Sequence, residues 1–310
     1  MKQDCREGMN NLIKQGYSKY FDFIELDPPY NIGKDKWDKF KSHEEYLEFI
    51  KEVMELSNQL LSNNGTLFLW HNDINIIFDF MNVCKNTNDL KLVQMITWNK
   101  HFKYNVNGEL NKQYEFLNGY IQVSQNRSYM LMCEYIMYFI KEENKKNPFS
   151  TIIKQKMKEL HLKQKDVANL QLSKNGNCTG WVSNKIKGEQ LPTPRQWMLM
   201  CNLFNIPNEY DKLRYTYNSN KNTDRHSVWQ YPMSKETKHK TEKPLQLYYD
   251  MFEVHTKKDS KCLFPFVGSG NNIISLLELN KYDDGERKYI GYETDDKWFD
   301  LINKRIEDSI

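Results

Sequence analysis

The sequence has no long apolar run. None of its stretches reaches the length of about eighteen apolar residues that a membrane-spanning helix needs. The first residues, Met1-Lys2-Gln3-Asp4, also lack the basic and then apolar pattern of a secretory signal. These two absences argue against a transmembrane or secreted protein, and they predict a cytoplasmic protein without a membrane partner.

Closely spaced cysteines are absent as well. The 310-residue chain has six cysteines, and no two of them form a Cys-x-x-Cys pair. Zinc sites and disulfide frameworks rely on such spacing, so neither is supported, and we expect no metal. The thiols are predicted to be reduced and mostly structural: Cys5, Cys84, Cys133, Cys178, Cys201 and Cys262.

A strong net charge is the third absence. The formal charge of +3 says little about partners. Its distribution is more informative, because Lys141 to Met200 contains twelve basic residues against five acidic ones. Two interpretations stay open: a surface that binds phosphates, or a solvated lysine-rich face.

The region from residue 21 to residue 70 has a strand-helix-strand pattern. Residues 21–26 are β-prone and end at Asp27-Pro28-Pro29-Tyr30, where proline stops the hydrogen-bonding ladder of a strand. Ser42-His43-Glu44-Glu45 predicts a capping box that opens a helix, which ends at Asn63-Asn64-Gly65 before a strand at 66–70. Such a unit predicts a parallel sheet that binds ligands beyond the carboxyl ends of its strands.

The rest of the chain indicates an α/β domain with an insertion. Strand patterns at 91–98 and 129–140 precede a polar linker at 141–148, and short helical patterns fill about 149–214. After a polar stretch at 217–225 the α/β pattern resumes, with a helix at 243–255, a strand at 261–266, a helix from 271, a strand at 288–293 and a final helix. The middle segment is therefore predicted to interrupt a domain whose two halves flank it.

Two motifs at strand ends predict chemistry. Phe266-Val267-Gly268-Ser269-Gly270 lies between a strand and a helix, where glycines let a cofactor approach the backbone; the alternative is an ordinary glycine turn. In Asp27-Pro28-Pro29-Tyr30, the Asp27 carboxylate and the Pro28 carbonyl can accept the two hydrogens of an exocyclic amino group. This helps to localise the nitrogen lone pair, and Tyr30 offers a ring for base stacking. The alternative is a Pro-Pro turn with a capping aspartate.

With these motifs the chain resembles the amino-methylating DNA methyltransferases of the permuted, β-type motif order, over most of residues 1–146 and 226–310. Six segments carry the resemblance: residues 21–38, Trp98-Asn99-Lys100, Cys133-Glu134-Tyr135, His239-Lys240-Thr241-Glu242-Lys243-Pro244, Ile290-Gly291-Tyr292-Glu293 and Asp4-Cys5. The resemblance implies an α/β fold, a Rossmann-like class I methyltransferase mixed sheet with an inserted small all-helical module. It also implies S-adenosylmethionine as the cofactor.

The resemblance assigns roles to individual residues. The predicted catalytic residues are Asp27, Pro28, Pro29 and Tyr30. The predicted cofactor-binding residues are Asp4, Cys5, Asp27, Lys243, Pro244, Phe266, Gly268, Ser269, Gly270, Asn271 and Glu293. Glu293 is expected to hold the cofactor ribose and Asp4 to lie near its adenine. The implied domains are a catalytic half at 1–147, an inserted module at 148–222 and a cofactor-binding half at 223–310.

Three positions depart from the family pattern. Phe264 replaces an aspartate expected near the methionine end of the cofactor, which predicts weaker cofactor binding and a gain on substitution Phe264→Asp. Asn271 replaces a threonine, a mild change because both residues can cap a helix. Lys240 replaces a proline.

The inserted segment resembles a repressor-type helix-turn-helix. The resemblance is carried by Gln164-Lys165-Asp166-Val167-Ala168, by Trp181 to Gly188 and by Pro192, with Lys174-Asn175-Gly176-Asn177 as an extra stretch. Such a motif places its second helix in the major groove of DNA. The predicted DNA-binding residues are Lys174, Ser183, Asn184, Lys185 and Lys187. The alternative is a helical insert that only packs on the enzyme.

The combined expectation is methyl transfer to adenine N6 in double-stranded DNA after base flipping. An aspartate in the first motif position, where relatives that modify cytosine often have serine, favours adenine over cytosine N4. A third hypothesis, from another class, is a DNA-binding regulator on a weakened methyltransferase scaffold. The family also implies a cognate restriction endonuclease as a possible partner.

Overall fold

The computed structural model describes residues 1–33, 38–85, 89–100, 133–141, 147–171, 180–217, 226–233 and 242–309. The chain divides into two compact units, one formed by Met1–Lys141 with Thr216–Ile310 and the other by Glu142–Tyr215. The candidate site lies in the first unit. Among the described residues, no helix is long and apolar enough to cross a membrane.

A mixed sheet forms the centre of the first unit. Its described strands are β1 (Phe21–Leu26), β2 (Leu61–His71), β3 (Leu90–Asn99), β4 (Cys133–Lys141), β5 (Val228–Gln230), β6 (Lys261–Phe264) and β7 (Lys288–Gly291). They are arranged in the order β5-β3-β4-β2-β1-β6-β7. Strand β1 is parallel to β2 and β6, β6 to β7 and β3 to β5, whereas β4 is antiparallel to both of its neighbours.

Helices cover both faces of this sheet. The described helices of the chain are α1 (Cys5–Lys14), α2 (His43–Leu60), α3 (Ile74–Cys84), α4 (Pro148–Glu159), α5 (Gln164–Ala168), α6 (Trp181–Lys187), α7 (Pro194–Phe204), α8 (Tyr210–Leu213), α9 (Leu245–His255), α10 (Asn271–Asp283) and α11 (Asp296–Glu307). One core packs Ile24 and Leu26 of β1 against α1, α2 and α3, and the other packs Phe23 against α9 and α10. Because β1 is covered on both faces, five of its six residues are buried, including the carboxylate of Glu25.

The first strand-helix-strand unit was predicted well except at one boundary. Strand β1 has the predicted bounds, and α2 begins where the Ser42 hydroxyl accepts a hydrogen bond from the Glu45 amide at 3.2 Å. The prediction that Asn63-Asn64-Gly65 ends this helix is wrong, because α2 ends at Leu60 and these residues lie within β2. Phe21 pairs with Leu61 and Phe23 pairs with Thr66, so an irregularity in β2 accommodates the polar residues.

Other elements differ from the sequence prediction in position or were not foreseen. Helices α1 and α3 and strand β5 had no counterpart in the prediction. Strand β4 is described from Cys133 onward, and the part of the predicted strand at 129–132 lies outside the described residues. The late elements α9, β6, α10, β7 and α11 follow the predicted order, although β6 ends at Phe264 and β7 at Gly291.

The second unit is helical and has a core of its own. Helices α4 to α8 pack around buried side chains that include Phe149, Val182 and Trp197. Thr193 and Gln196 form a reciprocal capping box at the start of α7, and Gly188 ends α6 with a left-handed φ of 88°. The short helices predicted for this region are therefore present, and α6 and α7 have recognisable end and start signals.

Candidate active site

A cavity of about 690 Å³ opens beyond the carboxyl ends of β1 and β6. Its size lies within the range of small-molecule sites. Four segments contribute to its wall: Asp27–Tyr30 after β1, Pro265–Ser269 after β6, Tyr292–Thr294 after β7 and Gln3–Arg6 at the start of α1. The cavity therefore lies at the edge of the parallel strands where the sequence placed ligand binding.

Most of the residues singled out in the sequence line this cavity. They are Asp4, Cys5, Asp27, Pro28, Pro29, Tyr30, Lys243, Phe266, Gly268, Ser269, Asn271 and Glu293. Pro244 and Gly270 are not among the residues of the wall, and each instead precedes a helix as its N-cap, Pro244 before α9 and Gly270 before α10. These two residues therefore set the direction in which the chain enters each helix beside the site.

Asp27 is fixed by two partners at the floor of the cavity. Its Oδ1 lies 3.0 Å from the hydroxyl of Tyr30, and its Oδ2 contacts the Lys243 ammonium. About a fifth of the Asp27 side chain is exposed (20%), whereas the Lys243 side chain is almost fully buried (2%). The carboxylate is thus accessible from the cavity but held from behind by a buried cation.

A second carboxylate lies behind the first. Glu134 Oε2 is 3.0 Å from the Tyr30 hydroxyl and 3.5 Å from Lys243 Nζ, while Lys100 Nζ donates to Glu134 Oε1 at 2.9 Å. Burial alone would raise the pKa of Glu134, but the charges of Lys243 and Lys100 lower that pKa to about 2. Glu134 is therefore ionised at neutral pH, and two lysines balance the charges of Glu134 and Asp27.

Lys243 belongs mainly to this charge network. Burial would lower the pKa of its ammonium, but the carboxylates of Asp27 and Glu134 raise it. The ammonium also lies 4.8 Å from the centroid of the Trp70 ring, a cation–π distance. The sequence assigned Lys243 to cofactor binding, and the structure adds a direct contact with the predicted catalytic carboxylate.

The backbone of the Asp-Pro-Pro-Tyr segment is held by neighbouring side chains. The Tyr46 hydroxyl donates to the Pro29 carbonyl at 2.8 Å, and His71 Nε2 lies 3.3 Å from the Tyr30 carbonyl. His71 Nδ1 accepts from the Asp73 amide, so its proton belongs on Nε2, and burial lowers the pKa of the ring. His71 thus serves as a neutral donor to the motif.

The loop between β6 and α10 needs its glycines. Gly268 and Gly270 have φ values of 57° and 83°, a region that residues with side chains rarely adopt. A Cβ at Gly270 would also lie 3.1 Å from Ile302 Cγ1 of α11. The loop is consequently compact, and the Gly268 and Ser269 backbone can approach a ligand in the cavity.

Arg305 and Asn271 tie this loop to Lys243. Arg305 donates to the Ser269 carbonyl and to Asn271 Oδ1, both at 2.6 Å, and Asn271 Nδ2 donates to the Lys243 carbonyl at 2.6 Å. Asn271 was judged a mild replacement for threonine because both residues can cap a helix, but Gly270 is the N-cap of α10 and no side chain caps it. The side-chain amide of Asn271 instead uses its oxygen as an acceptor and its nitrogen as a donor. A threonine at this position could not place an acceptor and a donor in the same way.

Glu293 lies directly beside the glycine loop. Its Oε2 accepts from the Gly268 amide at 3.0 Å, and its Oε1 accepts from the Thr294 and Asp295 amides at 2.9 Å. Burial raises the pKa of Glu293, although these amides oppose the shift. The carboxylate is therefore held at the cavity wall, with one acceptor site left on Oε2 for a ligand hydroxyl.

Asp4 is placed by the helix that it caps. Its carboxylate accepts from the Arg6 amide at 2.8 Å at the start of α1, and from the Arg6 guanidinium at 3.0 and 3.1 Å. Burial would raise the pKa of Asp4, and Arg6 lowers it overall. Cys5 is buried beside it, and burial raises the pKa of this thiol to about 12, so it remains a neutral wall residue.

The cavity wall is acidic overall. Among the described residues that form it, eight are acidic and three are basic. The acidic residues are Asp4, Asp27, Asp38, Glu45, Glu48, Glu52, Glu242 and Glu293, and the basic ones are Arg6, Lys39 and Lys243. Such a wall favours a ligand with positive charge and disfavours one with several phosphates.

Phe264 does not line the cavity. It is fully buried at the end of β6, with its ring 5.8 Å from that of Phe252 and 6.4 Å from that of Phe23. The expectation that Phe264→Asp would strengthen cofactor binding is therefore corrected, because an aspartate here would enter an aromatic core. The departure from the family pattern at this position has a packing role.

The predicted DNA-binding residues of the helical unit differ in exposure. Lys174 lies outside the described residues, Ser183 and Asn184 are half-buried, and Lys187 is exposed. Lys185 is buried, with burial lowering its pKa and its ammonium donating to Gln190 Oε1 at 2.7 Å. This burial argues against a contact between Lys185 and a DNA groove, because its ammonium is engaged by Gln190.

Sequence reasoning missed four side chains that support the motif. Lys100 directly follows β3 and Glu134 lies at the start of β4, both in segments that carry the family resemblance. Their opposite charges were a usable signal for an ion pair. Tyr46 and His71 carried no such signal. A tyrosine in an amphipathic helix and a histidine at a strand end are ordinary core residues until the fold brings them to Pro29 and Tyr30.

The chain matches one family of known proteins and several of their members. A family described as DNA methylase (N6_N4_Mtase) matches residues 21–304. The type II methyltransferase M1.MboII of Moraxella bovis is 28% identical over 92 residues, which are 29% of this chain and 34% of that protein. The type II methyltransferase M2.MboI of the same organism is 22% identical over 307 residues, or 93% of this chain and 81% of that protein.

Sequence coverage is thus partial for the first relative and broad for the second. Among solved structures, the M1.HpyAVI-SAM complex has a TM-score of 0.50 and 18% identity, and the match covers 98% of each chain. A likeness at this identity concerns the fold. The predicted α/β fold, a Rossmann-like mixed sheet of the class I methyltransferase kind, is confirmed.

Proposed function

The chain belongs to the DNA methylase family, and we propose that it transfers a methyl group from S-adenosylmethionine to the N6 amino group of adenine in double-stranded DNA. One observation supports this function most strongly. The Asp27 carboxylate faces a cavity while Lys243 and Tyr30 hold it from behind. This carboxylate is fixed in direction at the place where a base amino group would enter.

Asp27 and Pro28 would act on the amino group of the base. The amino nitrogen is a poor nucleophile because its lone pair is delocalised into the ring. We propose that the Asp27 carboxylate accepts a hydrogen bond from one amino hydrogen and the Pro28 carbonyl from the other. Both bonds strengthen as positive charge develops on nitrogen, so they favour the transition state over the ground state. No covalent intermediate with the protein is required.

Lys243 and Tyr30 would keep Asp27 in place during this step. An aspartate that contacts two fixed groups cannot rotate away, so the geometry of attack is set before the base enters. Tyr30 is itself almost buried, with its hydroxyl held between Asp27 and Glu134, which fixes the plane of its ring. A base that enters the cavity would pack against the edge or the face of this fixed ring.

The cavity has features that suit S-adenosylmethionine. Glu293 could accept a hydrogen bond from a ribose hydroxyl through Oε2, and the Gly268–Ser269 backbone allows close approach. The acidic wall matches a molecule that carries a sulfonium and an ammonium and only one carboxylate. When bound, this cofactor supplies an electrophilic methyl group on positively charged sulfur.

The target base would have to leave the duplex. Asp27 lies at the floor of a cavity about 690 Å³ in volume, which a stacked base pair cannot enter. We therefore propose base flipping, which costs a few kcal/mol of unstacking and is offset by contacts in the cavity. We propose adenine as the target because the first residue of the motif is an aspartate, Asp27. Cytosine N4 is the alternative target.

The helical unit is proposed to contribute to DNA recognition. The excess of basic residues between Lys141 and Met200 and the helix-turn-helix resemblance coincide there. Helix α6 presents Ser183, Asn184 and Lys187 as the residues available for base-edge or phosphate contacts. A cognate restriction endonuclease is the further partner that the family suggests.

The proposal is tested by methyl transfer with radiolabelled cofactor. The chain is incubated with duplex DNA of mixed sequence and S-adenosylmethionine labelled in its methyl group, and the DNA is digested to nucleosides and separated. Label in N6-methyl-2′-deoxyadenosine is the expected result. Label in N4-methylcytosine would move the function to the alternative base, and no label in DNA, despite measured cofactor binding, would overturn the proposal.

A further inference from the structure

Glu25 is a fully buried carboxylate that the proposed methyl transfer does not use. It lies in β1, two residues before Asp27, and points between α9 and α10. The Tyr248 hydroxyl donates to Glu25 Oε1 and Asn272 Nδ2 donates to Glu25 Oε2, both at 3.1 Å. Both donors line the cavity, so a single layer of side chains separates Glu25 from a ligand.

The surroundings of Glu25 on the sheet are otherwise aromatic. Phe23 pairs with Cys262 and Ile24 with Leu263, and the same register continued by one residue places Glu25 beside Phe264. Phe23 and Phe264 belong to one buried apolar cluster. An apolar residue would suit this position, and a buried carboxylate there is costly unless it has a specific use.

The charges around Glu25 do not balance when it is ionised. The groups that face it are Asp27 on its own strand, Lys243 before α9, Tyr248 on α9 and Asn272 on α10. Behind these lie Glu134 and Lys100, which form an ion pair. In this cluster of described residues the two lysines neutralise Asp27 and Glu134, so an ionised Glu25 is one negative charge in excess.

The excess of negative charge agrees with the raised pKa of Glu25. Burial and the charge of Asp27 raise its pKa to about 8, against the opposing effects of Lys243, Asn272 and Tyr248. Glu25 consequently holds its proton more tightly than an ordinary glutamate does. One positive charge added to the adjoining cavity would make the cluster neutral with Glu25 ionised.

We propose that Glu25 is the counter-charge for the sulfonium of the cofactor, protonated in the free protein and ionised when S-adenosylmethionine is bound. This inference rests on the function proposed above. On binding, the O–H bond of the Glu25 carboxyl breaks, the electron pair stays on oxygen and the proton passes to solvent. S-adenosylhomocysteine has a neutral sulfur, so Glu25 keeps its proton when this product binds. The device favours the cofactor over the product.

Binding measurements on the two ligands test the inference. S-adenosylmethionine and S-adenosylhomocysteine carry the same amino acid group, but the sulfonium lowers the pKa of the ammonium in S-adenosylmethionine, so the two free ligands titrate differently. The ratio of their affinities is therefore compared between wild type and Glu25→Gln, since the ligand titrations are the same with both proteins. Cofactor binding lowers the pKa of Glu25, and this ratio therefore rises as pH increases from below the lowered pKa to about 8. The expected rise is about tenfold for each unit by which the pKa falls on binding.

The decisive variant is Glu25→Gln, which keeps the size and an acceptor oxygen but cannot ionise. Isothermal titration calorimetry is done with both ligands from about pH 6 to about pH 9, in two buffers of different ionisation enthalpy. The wild-type protein should release more protons than Glu25→Gln on binding S-adenosylmethionine, and the same number on binding S-adenosylhomocysteine. The affinity ratio should rise more steeply with pH in wild type than in Glu25→Gln, while the affinity of Glu25→Gln for S-adenosylhomocysteine should differ from wild type by less than about twofold.

Two further variants separate charge from structure. Glu278→Gln removes an exposed carboxylate from α10 and should leave the ratio as in wild type. Tyr248→Phe removes one donor to Glu25, which raises the pKa further and should move the rise of the ratio to higher pH. This variant also provides the test if Glu25→Gln does not fold.

The outcomes are distinguishable. If neither ligand binds the wild-type protein, the proposed function fails and this inference fails with it. If both bind, but the ratio has the same pH dependence in wild type and Glu25→Gln, or does not shift in Tyr248→Phe when that variant is the test, the inference is overturned and the function stands.

Discussion

The Lys243 ammonium contacts the Asp27 carboxylate across 216 positions of sequence. This contact joins the segment after β1 to the segment before α9, so the two flanks of the helical insertion meet at one carboxylate. Lys243 is also within 3.5 Å of Glu134, which lies at the start of β4. The proposed catalytic group is therefore assembled from three distant parts of the chain, and its position depends on all of them.

Replacement of Lys243 by methionine should damage both activity and stability. The substitution leaves Asp27 and Glu134 without their shared cation, and breaking a buried ion pair typically costs about 3–5 kcal/mol. Urea denaturation should show this loss, and methyl transfer should fall at least about a hundredfold, because the carboxylate is no longer fixed. Lys288→Met, on an exposed residue of β7, is the control and should behave as wild type. Equal activity of the two variants would contradict the positioning role of Lys243.

Asp27→Ala should abolish methyl transfer while cofactor binding is retained. The proposed work of Asp27 is on the amino group of the base, and removal of one such acceptor typically costs about a hundredfold to a thousandfold in turnover. Transfer of labelled methyl to DNA measures turnover, and calorimetry measures cofactor affinity. A variant that transfers methyl at a near-normal rate would remove Asp27 from the proposed mechanism.

The order of motifs in the sequence was enough to predict much of this site. Asp27, Tyr30, Gly268 and Glu293 follow strands whose patterns are clear, and parallel strands bring their carboxyl ends together. The partners of these residues could not be predicted, because a lysine that follows a polar stretch does not reveal that it folds back onto Asp27. Long-range pairing depends on the register of the sheet, which local patterns do not contain.

The errors have physical causes of the same kind. Asn63-Asn64-Gly65 is a strong local signal for the end of a helix, but pairing with β1 extends β2 through it. Phe264 was judged from the family pattern, whereas its surroundings are set by Phe23 and Phe252 from neighbouring elements. In both cases tertiary contacts decided the outcome.

Phe264→Asp should destabilise the fold and should not strengthen cofactor binding. The aspartate would be buried among aromatic rings and beside Glu25, so it lacks both solvent and a cation. A loss of stability of at least about 3–5 kcal/mol is expected from thermal or urea denaturation. Phe264→Leu keeps an apolar side chain and should cost much less. Tighter binding of the cofactor to Phe264→Asp would show that this position reaches the cavity after all.

Arg305→Ala should weaken cofactor binding with little effect on the position of Asp27. Arg305 holds the Ser269 carbonyl and Asn271 Oδ1, so its loss loosens the loop that borders the cavity. Loss of a charge-assisted hydrogen bond costs about 1.5–3 kcal/mol, and we expect affinity to fall by about tenfold or more. Lys304→Ala, on the neighbouring exposed residue of α11, is the control. If the two variants bind the cofactor equally well, the contacts of Arg305 with Ser269 and Asn271 have no role in binding.

Lys185 and Lys187 provide a matched pair for the proposed DNA-contact role of the helical unit. They lie two residues apart in α6, but Lys185 is buried against Gln190 whereas Lys187 is exposed. If α6 contacts DNA, Lys187→Ala should weaken binding to all duplexes and lower the dependence of affinity on salt by about one phosphate contact.

The buried lysine should behave differently. Lys185→Met removes a charge that cannot reach DNA, so affinity and salt dependence should stay as in wild type while stability changes. Ser183→Ala with Asn184→Ala should instead relax preference between target and scrambled duplexes, by about 1–3 kcal/mol for each hydrogen bond to a base edge that the substitutions remove. Affinities for both duplexes at several salt concentrations separate these effects. If Lys187→Ala binds like the parent at every salt concentration and the double variant keeps its preference, α6 does not contact DNA and recognition must come from another part of the chain.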